Sequence, residues 1–62
     1  MDINSIREAV TFSPENLPLR ILLAEALISE ARWKEAEVEL KFVLERNSKH
    51  QSANQALARV YF

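Results

Sequence analysis

The sequence predicts an all-α protein, and three observations carry that prediction. Glycine is absent from all 62 residues, whereas the hairpin turns of strand-rich folds need the positive φ that glycine supplies. Eight Ala and eight Leu, both strong helix formers, make up about a quarter of the chain. Apolar residues also recur at three- and four-residue spacing in four successive segments, separated by short polar breaks. At 7.2 kDa there is room for one small domain, expected to expose roughly 4,100 Å² when folded and to bury only about 60% of its unfolded surface.

In the first segment Ile3, Ile6 and Val10 stand at i, i+3 and i+7, with Ala9 on their flank. Asp2 or Asn4 can cap its start. Phe12 closes the stripe, and Ser13-Pro14-Glu15-Asn16 interrupts it, because proline lacks an N–H and restricts the residue before it. The second segment opens with Asn16 as N-cap and Pro18 inside the first turn, where a missing N–H costs nothing. Leu19, Leu22, Leu23, Ala26 and Leu27 line one face, and Ile21, Ala24, Ile28 and Ala31 run along a second. A helix apolar on so much of its circumference is expected to lie between neighbours.

The third segment carries Trp33, Ala36, Leu40, Val43 and Leu44 on one face and charges on the other. Lys34, Glu37, Lys41 and Glu45 form pairs at i+3 or i+4, and Glu35, Glu37 and Glu39 belong to the same solvated surface. Asn47-Ser48-Lys49-His50 breaks the pattern, and Ser48 with Gln51 three residues on is the sequence of a capping box. In the fourth segment Ala53, Ala56, Leu57, Val60 and Tyr61 repeat the helical spacing.

Helices of similar length joined by short turns invite a search for an internal period. A shift of 34 residues superimposes Leu23-Ala24 on Leu57-Ala58, Leu27 on Tyr61, Ile6 on Leu40, Val10 on Leu44 and Pro14 on Ser48. An ordinary four-helix antiparallel bundle accounts for the amphipathic spacing too, with the 34-residue shift then a coincidence. With this period, Trp33-Lys34-Glu35-Ala36 as helix opening and Pro14 between units, the chain resembles the tetratricopeptide repeat family over its whole length. The resemblance implies four antiparallel helices stacked as a right-handed array in a single domain, 1–62. Half repeats at 1–16 and 51–62 would flank a full repeat at 17–50, and the chain is expected to be the N-terminal part of a longer protein. Leu23, Ala24, Leu27, Trp33, Ala36, Leu40, Leu57, Ala58 and Tyr61 are the repeat-packing positions. Arg20, Ala24, Ala31 and Ser48 depart from the pattern, where the family has tryptophan, glycine, a turn glycine and proline. Ala31 is the costliest departure, because a Cβ disfavours left-handed geometry.

Function is expected to be binding. Eight basic against nine acidic side chains give a net charge of −1, which offers no footprint for a nucleic-acid backbone, and no apolar run approaches the ~20 residues of a membrane span. Without cysteine or glycine there is no thiolate metal site and no glycine-rich phosphate loop, and His50 is a lone turn histidine, so no enzyme activity and no cofactor are expected. The absence of cysteine and of a signal sequence points to the cytoplasm. The resemblance implies a protein or peptide partner held on a concave face at Pro18, Ile21, Glu25, Ile28 and Ser29, and at Ser52, Gln55, Arg59 and Phe62. Ile21 and Ile28 could equally pack on the first helix. The other expectation is a homo-oligomer or a targeting arm of a larger protein, assembled through the apolar residues of the terminal helices.

Overall fold

The computed structural model describes Asp2 to Tyr61, which form four helices and, among those residues, no strand. They are α1 (Ile3–Phe12), α2 (Leu17–Ser29), α3 (Trp33–Arg46) and α4 (Gln51–Tyr61). Three of the four helix starts carry a side-chain cap, and α3, which opens after Arg32, does not. Asp2 Oδ1 accepts the Ser5 N–H at 2.7 Å, and Asn16 Oδ1 accepts the Leu19 N–H at 3.1 Å. The Ser48–Gln51 capping box does not form. Because α4 begins at Gln51, the capping position falls to His50, whose Nδ1 accepts the Ala53 N–H at 3.3 Å. That bond requires a ring with its proton on Nε2.

The turn between α2 and α3 is the strained one. Ala31 adopts φ 58°, the left-handed conformation usually left to glycine. The Ala31 N–H bonds the Ile28 carbonyl and the Arg32 N–H bonds the Leu27 carbonyl, both at 2.9 Å. These are the two bonds of a Schellman ending, so orphan carbonyls of α2 are satisfied in spite of the misplaced Cβ.

Apolar on most of its circumference, α2 packs against all three other helices. On one side Leu23 and Leu27 join Ile3, Ile6, Val10 and Ala36; on the other Ile21 and Ala24 join Leu40, Val43, Ala53 and Ala56. Ile28 and Val60 border both clusters. Small residues where helices cross allow close approach, and the leucines fill the remaining space, each burial being worth about 1.5–3 kcal/mol. The radius of gyration, 10.5 Å, matches the roughly 10.6 Å of a compact chain of this length. The exposed area, 4181 Å², lies close to the expected figure. A thickness of 15 Å between outer Cα atoms is that of two helix layers, given axes about 8–10 Å apart and a Cα radius near 2.3 Å.

Candidate functional site

The seam between α2 and α4 is the candidate binding face. Glu25 on α2 and Arg59 on α4 join across it at 3.3 Å, with both side chains about half exposed. Pro18, Ser29, Ser52 and Gln55 are exposed around this pair. Ile21 is not available as a contact: at 8% exposure it packs on Ala53 and Ala56 of α4 and on Leu40 and Val43 of α3, rather than on α1. Its neighbours on α4 are alanines, so the isoleucine fills the space that their short side chains leave. Ile28 is partly buried between the two clusters, and Phe62 lies outside the described residues. What remains of the expected contact set is a polar rim around a single ion pair.

A second set of polar contacts ties α3 to each neighbour. The steps of two residues from Glu35 to Glu37 to Glu39 turn successive carboxylates to different sides of the helix, and each finds a partner there. Glu35 accepts from Arg7 of α1 at 2.9 Å and from Arg32 at 2.6 Å; Glu39 accepts from Arg20 of α2 at 2.9 Å. Glu37 accepts the Tyr61 hydroxyl of α4 and lies 3.7 Å from Lys41. These carboxylates are therefore inter-helix ties, not the idle solvated surface their charge implies. Bonds from Arg32 and then Arg7 hold the Glu35 carboxyl down at about 2, and the Tyr61 hydroxyl lowers Glu37 while being raised itself.

Arg20 is the centre of this network. Its Nε donates to the Pro14 carbonyl at 2.9 Å while its guanidinium lies 3.6 Å from the centre of the Phe42 ring. Arg46 lies 3.5 Å from the same centre, so the two cations occupy opposite faces of one ring, and Arg46 also reaches Glu15 at 3.1 Å. Phe42 and Arg46 are one helical turn apart, a spacing visible in the sequence; the approach of Arg20 from another helix is not. Beside this stack is an open-sided depression of about 600 Å³ lined by Arg20, Val38, Lys41, Phe42, Leu44 and Glu45. Its walls come from α3, apart from Arg20 of α2, and none of them is a residue of the expected contact set. No group of three metal-ligating side chains occurs among the described residues, and none of their helices is long and apolar enough to cross a membrane.

A tetratricopeptide repeat model matches residues 3–60, nearly the whole of this four-helix chain. The chain belongs to the tetratricopeptide repeat family. No curated protein and no solved structure matches it. Tetratricopeptide repeats are typically noncatalytic modules that bind other proteins, and the buried positions fit their architecture: Leu23, Ala24, Leu27, Ala36 and Leu40 are all in the core.

Four expected packing positions of this repeat protein are not fully buried. Trp33, the first residue of α3, is 45% exposed and shares a shallow depression with Lys34, Glu37, Val60 and Tyr61. Tyr61 is 63% exposed and Ala58 is exposed, while Leu57 is only partly buried. Leu57 packs on the cluster of Leu40, Ala53 and Ala56, and Tyr61 turns towards α3, where its hydroxyl donates to Glu37. Arg20, which stands in place of the family's tryptophan, occupies that position as another broad planar group stacked on a ring.

Proposed function

We propose that the chain is a noncatalytic module that binds an extended peptide or short helix of a protein partner along the α2–α4 seam. The carrying observation is that, in a member of the tetratricopeptide repeat family, α2 and α4 lie side by side with Glu25 and Arg59 paired in the open. In this reading α2 and α3 form the full repeat, 17–50, while α1 and α4 are halves of its neighbours, stacked antiparallel with a right-handed twist. The contact residues are Pro18, Glu25, Ile28, Ser29, Ser52, Gln55 and Arg59. Ile21 acts from beneath, by setting the distance between α2 and α4. A ligand carrying one acidic and one basic side chain can exchange with the Glu25–Arg59 pair, so the mechanism is replacement of an exposed internal ion pair by two intermolecular ones. A near-neutral surface favours a protein partner over nucleic acid, and a cysteine-free chain suits the cytoplasm.

The test is selection from a random peptide library followed by amide chemical-shift mapping of the bound protein. Enriched peptides are expected to move Glu25, Ser52, Gln55 and Arg59, and Gln55→Arg is expected to weaken them about tenfold. Shifts confined to Val38, Lys41 and Glu45 would move the binding site to the outer side of α3.

A further inference from the structure

We propose that copies of this chain associate head to tail, the α4 end of one docking on the α1 end of the next, so that the two-layer stack continues from copy to copy. The proposal rests on the repeat register assigned above.

Exposed large apolar side chains first divide into two groups: Phe12, 80% exposed, and Leu22, 46% exposed, belong to α1 and α2, whereas Trp33, Val38 and Tyr61 belong to α3 and α4. Second, the contact that joins α2 to α4 is also present as two separated halves. Inside one copy Ile21 and Ala24 of α2 share a cluster with Ala53 and Ala56 of α4. Adding 34 to the first pair gives Gln55 and Ala58 on α4, and subtracting 34 from the second gives Leu19 and Leu22 on α2. Ala58 and Gln55 are exposed on one end, and Leu22 is exposed on the other. A second copy moved on by two repeats, the span of the four helices, brings these halves together.

Charge agrees with this register. Glu25 and Arg59 are 34 residues apart and are paired. One repeat further on, Arg59 faces Glu25 of the next copy, so opposite charges alternate along the seam and no like charges meet. Such an interface is heterologous, so it propagates rather than closing on a two-fold axis.

Sedimentation equilibrium of the 62-residue chain tests the proposal. The mass should rise from 7.2 kDa with concentration and pass the dimer value without a plateau. Leu22→Glu blocks one end and Ala58→Glu the other; both sites are exposed, and melting curves verify that each variant folds. Either variant alone should stay monomeric where the parent associates, while an equimolar mixture should form a pair and stop there. Arg59→Glu should weaken association roughly tenfold, and adding Glu25→Arg to it should restore the parent's mass. A parent that stays at 7.2 kDa up to millimolar concentration overturns the proposal, as does a mixture that fails to pair. Neither Leu22 nor Ala58 belongs to the peptide contact set. Peptide binding retained without assembly therefore refutes only the head-to-tail contact, and assembly without peptide binding refutes only the groove.

Discussion

At the scale of single residues, two side chains have consequences out of proportion to their size. Ala31 holds a left-handed conformation that glycine adopts without a Cβ penalty. Ala31→Gly should therefore stabilise the protein by about 1 kcal/mol, against a smaller entropic loss from the more flexible unfolded chain. In a domain of this size that raises the melting temperature by about 4–8 °C, measurable by circular dichroism. Glu35 governs the response to acid. Its folded-state pKa is depressed from 4.5 to about 2 by Arg32 and Arg7, so its contribution to stability is complete above about pH 4.5 and is lost as the pH falls towards 2. Asp2, lowered by its bond from the Ser5 N–H, and Glu37, lowered by Tyr61, act in the same direction. Urea titrations between pH 5 and 2 should show stability falling with acid in the parent and a shallower fall in Glu35→Gln; equal slopes would mean that the Glu35 pair does not persist in solution.

At the scale of the helix, substitutions should sort by their distance from α2. Leu27→Ala empties a fully buried site and should cost about 2–5 kcal/mol, most or all of the roughly 3–9 kcal/mol expected of 62 residues. Leu57→Ala, on the partly buried α4, should cost less than half as much in denaturant titrations. Ile21→Lys introduces a charge where Leu40, Val43 and two alanines surround the side chain, so loss of cooperative unfolding is expected. These elements were legible in the sequence because helix spacing, Asn16, Pro14 and the small residues at Ala24 and Ala36 all agree with one another. The seam was less legible. Glu25 and Arg59 are named by the family resemblance, but periodicity alone does not separate Ile21, which faces alanines on a neighbouring helix, from an exposed residue of the same type. Nor does it find His50 as a cap or Arg20 against Phe42, since both depend on where helices end and cross.

At the scale of the whole molecule, a slab two helices thick has almost no interior beyond its two small clusters, so its stability depends on the ends as much as on the middle. Self-stacking should therefore raise the melting temperature with protein concentration, since any association of the folded form adds to its stability. Calorimetry over a hundredfold concentration range checks this, and a constant midpoint would count against coupling between assembly and folding. The same geometry provides a built-in optical gauge. Trp33 is the only tryptophan, and it is partly wetted at the end where Tyr61 and Val60 line its depression. Its emission is thus expected to shift to shorter wavelength when anything covers that end and to stay unchanged when a peptide occupies the α2–α4 seam, so a label-free cuvette experiment distinguishes growth of the array from loading of its groove.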